Sequence, residues 1–175
     1  MLDILIVPGL NGSGPEHWQS WVETRLPETR RVIQDDWNTP DLPRWRQRVQ
    51  KYLAHSRHPV ILIAHSFGCL ASMAAARYHS RRIAGALLVA PADPRKFGVG
   101  RHLPATPAAF PSIVVASAND PWVSISTARR WARRWGSHFI NLGRHGHINI
   151  ESGFGPWPEG FALYETLRAR ILPRG

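Results

Sequence analysis

One cysteine, Cys69, is all that the sequence holds, so no disulfide can form within the chain, and such sparing use fits a reducing compartment. No apolar run reaches the roughly 18 residues that a membrane-spanning helix needs. The start has no basic segment, long apolar stretch or small-residue cleavage site of a secretory signal, since it opens on the strand-like run Leu2–Val7. A cytoplasmic location is therefore expected. Lysine is scarce: Lys51 and Lys96 are the only two, and the formal charge of +10 comes almost wholly from arginine. The arginines fall in scattered pairs (Arg30–Arg31, Arg81–Arg82, Arg129–Arg130, Arg133–Arg134) without a basic tail. That pattern suits solvated helix faces, so neither a specific nucleic-acid partner nor a membrane is expected. Internal repeats, low-complexity tracts and linkers are also missing, and the 175 residues read as one domain, 1–175.

What is present is an alternation. Short apolar or β-branched runs recur at Leu2–Val7, Arg31–Ile33, Val60–Ala64, Ile83–Ala90, Ile113–Ala116 and His138–Asn141. Several are apolar almost throughout, as strands buried on both faces of a parallel sheet must be. Helical spacing appears between them, over Glu16–Leu26, Leu42–Ser56, Phe67–Tyr78, Ser124–Trp135 and Pro158–Leu172. Ser124 is a suitable N-cap, Pro158 suits a first helical turn, and Pro173 is a stop. The pattern predicts an α/β fold with a mostly parallel six-stranded sheet and helices on both faces. The proline-rich stretch Pro91–Pro111 is either a short lid or a stiffened loop. No stretch is long enough for a large cap domain.

The strongest local signal is Val60-Ile61-Leu62-Ile63-Ala64-His65-Ser66-Phe67-Gly68. An apolar strand runs into a serine with small residues two positions to either side, and a helix follows at once. This is the strand–turn–helix context of a nucleophile elbow, with Ala64 in place of the first glycine. The alternative is that Ser66 only caps the helix. A serine hydroxyl needs a base, and the base needs an orienting acid, in the chain order Ser, Asp or Glu, His. Two aspartates lie downstream. Asp120 follows the fifth strand in Asn119-Asp120-Pro121, and Asp93, past the fourth strand, is second choice. The base belongs in the loop after the last strand, where Gly146 before it favours His147 over His145. These two histidines also form an H-x-H pair, but no further ligands of metal spacing support one, and no metal or cofactor is expected.

After the first strand comes Pro8-Gly9-Leu10-Asn11-Gly12-Ser13-Gly14. It lacks G-x-G-x-x-G and the lysine of a phosphate loop, which argues against a nucleotide site. Its place instead suits an oxyanion loop, with the N–H of Leu10 or Asn11 paired with that of Phe67. Trp122, next to the acid turn, is a candidate for contact with substrate.

Taken together, Val7-Pro8-Gly9, His17-Trp18-Gln19-Ser20-Trp21, Asp36-Trp37 with Pro40 and Trp45, Ala64-His65-Ser66-Phe67-Gly68-Cys69, Asn119-Asp120-Pro121 and Gly146-His147-Ile148-Asn149 resemble the small serine hydrolases of the retinoblastoma-binding protein 9 family. The resemblance covers about 150 residues. It implies a compact α/β-hydrolase fold without a large cap, a Ser66–His147–Asp120 triad, and hydrolysis of small esters or amides through an acyl-enzyme. The family's L-x-C-x-E motif is not matched around Cys69, so retinoblastoma-protein binding is not carried over. A non-catalytic interaction scaffold with a basic surface is the alternative.

Overall fold

The computed structural model describes residues 1–26 and 28–172. Six strands form one sheet: β1 (Asp3–Val7), β2 (Thr29–Arg31), β3 (Val60–His65), β4 (Ile83–Val89), β5 (Ser112–Ala116) and β6 (His138–Asn141). They lie in the order β2-β1-β3-β4-β5-β6, and every neighbouring pair is parallel. Parallel strands need crossovers, and the helices supply them: α1 (Trp18–Arg25), α2 (Leu42–Ala54), α3 (Phe67–His79), α4 (Ile125–Trp135) and α5 (Pro158–Ile171).

The period-two alternation of each strand sorts the apolar residues onto two faces. Leu5, Val7, Leu62, Ala64, Leu88 and Val114 point to α2, α3 and α4. Ile4, Ile6, Ile61, Ile63, Leu87 and Val115 point to α1 and α5. The central strands are sealed on both sides, which is why β3 reads as unbroken hydrophobicity.

The second strand is the one misplaced element. It was expected at Arg31–Ile33 and forms at Thr29–Arg31, in register Ile4↔Thr29 to Ile6↔Arg31. An edge strand covered on one side needs no apolar run, so Val32-Ile33 was a false lead. Val32 is buried, but Ile33 is 49% exposed. Elsewhere the ends move by a few residues. The first helix starts at Trp18, with the side chain of His17 accepting the Gln19 N–H as N-cap. Ser124 caps α4 by accepting the Thr127 N–H, and Pro158 opens α5. Pro173 lies outside the described residues, as does the last stretch of the expected 1–175 domain.

The stretch after β4 contains only a short 3-10 turn, Gly100–His102. Ala92, Val99, Leu103 and Phe110 from it are buried in the core beneath α3 and α4. The segment is thereby anchored along its length, as a packed loop.

Two strand ends are tied by one side chain. Gln19, fully buried, donates its Nε2–H to the carbonyls of Val7 (3.3 Å) and Ile63 (3.0 Å), while its Oε1 accepts from Ser13 Oγ at 2.6 Å. A buried carbonyl without a donor is costly, so Gln19→Leu is expected to lower unfolding free energy by about 2 kcal/mol in urea titration. A change below about 0.5 kcal/mol would mean that these carbonyls are satisfied without Gln19.

Candidate active site

All strands are parallel, so the loops after β1, β3, β4, β5 and β6 emerge at one edge of the sheet. At the end of β3 the chain turns into α3 through Ser66, whose backbone is left-handed at φ 54°, ψ −123°. A non-glycine residue there carries about 1–3 kcal/mol of strain. Three backbone hydrogen bonds hold it: Ser66 N–H to the Val89 carbonyl (3.0 Å), and the Ser66 carbonyl to the N–H groups of Cys69 (3.0 Å) and Ala92 (3.3 Å). Side chains are excluded around the turn. A Cβ on Gly68 would collide with the Val7 and Pro8 carbonyls, and one on Gly9 would sit 2.8 Å from the Ser66 Cβ. Ala64, fully buried, fits its methyl into the core.

Three distant residues meet at this turn. His147 Nε2 is 2.9 Å from Ser66 Oγ, and His147 Nδ1 donates to Asp120 Oδ2 at 2.8 Å. The carboxylate therefore fixes the tautomer, leaving the Nε2 lone pair for the serine hydroxyl. The other carboxylate oxygen of Asp120 accepts the Trp122 N–H at 2.8 Å. The Asp120 side chain is fully buried and that of His147 is 10% exposed.

The second-choice residues are turned away. Asp93 accepts from the N–H, Nε–H and guanidinium of Arg95. Burial raises its pKa, yet the Arg95 bonds outweigh this and hold the carboxyl below the usual range. His145 lays its ring edge-on against Phe154, 5.7 Å between centroids. The acid and base loops are stitched together: the His145 N–H donates to Ser117 Oγ (2.9 Å), and Asn119 Oδ1 accepts the Gly146 N–H (2.9 Å). Among the described residues, no group of three or more His, Cys, Asp or Glu is arranged to hold a metal ion.

Of the three oxyanion candidates, the Phe67 N–H opens α3, where helical geometry leaves donors unpaired. The Asn11 N–H is already spent on the Trp37 carbonyl at 2.9 Å. Leu10 makes no such bond among the described residues, and of the two loop donors it is the one left for an oxyanion. The Gly9 contact presses this loop directly against the serine.

Trp122 stands 57% exposed at the mouth, 6.4 Å from the His147 ring, with Lys96 Nζ 5.7 Å from its centroid. Trp157 instead belongs to the core, packed on Trp18 and Phe154. Phe97, which sequence reasoning passed over, lies edge-on to Phe67 at 5.0 Å. Two cavities of about 360 and 440 Å³ lie away from the triad, one by Leu2 and Tyr164 at the opposite sheet edge, the other by Arg77 and Phe110.

A family model described as serine hydrolase matches residues 4–166. No curated protein matches the chain. Among solved structures, a YdeN-like hydrolase from Pectobacterium atrosepticum is 40% identical, with 99% of this chain and 94% of that chain covered and a TM-score of 0.94. The ydeN gene product from B. subtilis is 19% identical, over 97% of this chain and 100% of that one, with a TM-score of 0.81. A thermophilic esterase from Thermogutta terrifontis is 16% identical, over 98% and 90%, with a TM-score of 0.69. The last two are likenesses of fold alone.

Behind the His147 ring lie two more histidines, His17 and His65. The ring centroids of His65 and His147 are 4.9 Å apart, and those of His17 and His65 are 5.0 Å apart. Burial, then the charge of His147 and His17, drives the His65 pKa well below 6.5. Burial, then Arg31 and His147, lowers that of His17 to about 4. A histidine after a buried strand was the only available signal. Both rings stay neutral in the fold, whereas the unfolded chain protonates them below about 6.5. Their contribution is therefore present above that pH and declines as pH falls below it, for His17 down to about 4. Urea unfolding at pH 7 and pH 5 is expected to give clearly lower stability at pH 5. Equal stability would mean that these rings protonate as readily in the fold as outside it.

Proposed function

The chain belongs to the serine hydrolase family and has an α/β-hydrolase fold, and from that premise we propose that it cleaves small esters or amides through Ser66, His147 and Asp120. The observation that carries this reading is the unbroken hydrogen-bond chain from Asp120 through His147 to Ser66, at 2.8 and 2.9 Å. The resemblance to retinoblastoma-binding protein 9 relatives supports it.

His147 Nε2 takes the proton of Ser66 as Oγ attacks the carbonyl carbon. Negative charge gathers on the carbonyl oxygen, which rests on the Phe67 and Leu10 N–H groups. Each such donor is worth about 3 kcal/mol in the transition state. The imidazolium, balanced by Asp120, then protonates the leaving group. Water releases the acyl group by the same steps in reverse, with His147 again as base. The strained turn matters here because it projects Oγ out of the sheet edge toward both the base and the donors. Trp122, exposed beside the His147 ring, offers an open apolar face to the substrate.

Ser66→Ala is expected to lower kcat for a p-nitrophenyl ester by about 10⁶-fold, with loss of fluorophosphonate labelling. Asp120→Asn should cost about 10⁴-fold, whereas Asp93→Asn should stay within about 3-fold of the parent. Labelling absent from the parent protein would favour the interaction-scaffold reading. Equal losses in the two aspartate variants would unseat Asp120 as the orienting acid.

A further inference from the structure

The residue after the base has an unexpected backbone. Ile148 sits at φ 49°, in the left-handed region that a β-branched side chain avoids most strongly. It is fully buried, and no glycine relieves it. Something must hold the chain there, because relaxing this torsion would swing the His147–Ile148 peptide and carry the imidazole off Ser66.

Two ring N–H groups from the core grip the peptide carbonyls on either side of that torsion. The Nε2 of His65 lies 3.0 Å from the His147 carbonyl, and Trp18 Nε1–H donates to the Ile148 carbonyl at 3.0 Å. A carbonyl only accepts, so His65 carries its proton on Nε2. Both donors are themselves immobile. Trp18 is 1% exposed and packs edge-on against Trp157 at 5.4 Å and His65 at 6.1 Å. His65 is the last residue of β3, one position before Ser66. The strand that delivers the serine therefore also delivers a donor to the loop that carries the base. The His17-Trp18-Gln19 segment has a matching division of labour. Gln19 ties β1 to β3, His17 caps α1 and packs edge-on against His65, and Trp18 reaches the base loop.

We propose that Trp18 and His65 are positioning residues for His147, acting together as a two-donor clamp that keeps Ile148 left-handed and the imidazole aimed at Ser66. This rests on the triad reading above, and Ser66→Ala serves as its separate control. Neither residue touches substrate, so the clamp affects turnover rather than binding.

The test is steady-state hydrolysis of p-nitrophenyl acetate by Trp18→Phe, His65→Leu, His65→Gln and Ser66→Ala, each with a thermal unfolding curve. Trp18→Phe keeps the ring packing and removes one donor. His65→Leu removes the other, and His65→Gln restores an amide N–H that reaches the same carbonyl. Expected is a fall in kcat of about 10- to 100-fold for Trp18→Phe and His65→Leu with KM within about 2-fold, and recovery in His65→Gln to within about 5-fold of the parent. Folded Trp18→Phe and His65→Leu proteins with parental kcat, beside an inactive Ser66→Ala, would overturn the clamp and leave the triad standing. His65→Gln no better than His65→Leu would reduce His65 to packing and equally overturn it. If His65→Leu does not fold, parental kcat in Trp18→Phe decides against the clamp and a lowered kcat at unchanged KM decides for it. Activity surviving in Ser66→Ala would remove the triad reading and the clamp with it.

Discussion

The left-handed backbone at Ser66 sets the terms for everything around it. A residue in that conformation is stable only where its surroundings leave it no alternative. Here the neighbouring strand accepts its N–H, and its carbonyl takes two donors. The price is paid in side chains, because Gly9 and Gly68 have no room for a Cβ beside the turn. The packing that crowds out those side chains also brings the glycine-rich loop after β1 against the serine. Strain, close packing and the candidate oxyanion donors are thus one arrangement seen from three sides.

His147, the proposed base, is held by a different device. It lies on a loop rather than at a strand end, and loops of this kind drift unless they are tied. The ties are polar and nearly all internal to the site. Ser117 and Asn119 bind the backbone of the base loop to the acid loop, Ser152 accepts the His147 N–H, and Trp18 and His65 reach its carbonyls from below. Buried polar groups of this density are stable only when each finds a partner. Keeping His17 and His65 uncharged belongs to the same logic. A second cation beside His147 would oppose the charge that this ring would carry in the proposed proton transfer.

Much of this could be read from residue order. Apolar strands alternating with amphipathic helices defined the sheet, and small neighbours around a serine after the third strand marked the turn. Gly146 favoured His147 over His145 and strand order favoured Asp120 over Asp93, and His147 and Asp120 are the pair that hydrogen-bonds beside Ser66. Where reading failed, the cause was physical. The β2 strand is an edge, so its pairing rests on backbone groups and leaves no hydrophobic trace. The choice between Leu10 and Asn11 depended on which N–H the Trp37 carbonyl would claim, a contact across 26 residues of sequence that no local pattern records. The histidines at 17 and 65 looked ordinary because their meaning lies in what they approach, not in their spacing.

Rigidity is distributed unevenly over the site, and that distribution bears on selectivity. The side chains of the Asp120–His147–Ser66 line are mostly buried and multiply bonded, whereas Trp122 is largely open to solvent and the Lys96 ammonium rests above it. Groups that move protons gain from fixed geometry, since small misplacements are costly in rate. Groups that only touch substrate lose little by being exposed, and an indole at the rim offers a flat face at low entropic cost. In the proposed reaction, contacts at an exposed rim discriminate among acyl groups weakly, since each missing methylene is worth only about 1–3 kcal/mol even in a well-formed pocket. In the proposed hydrolysis precise chemistry is thus joined to selection at an open rim, where the leaving group meets Trp122 and the Lys96 ammonium above it.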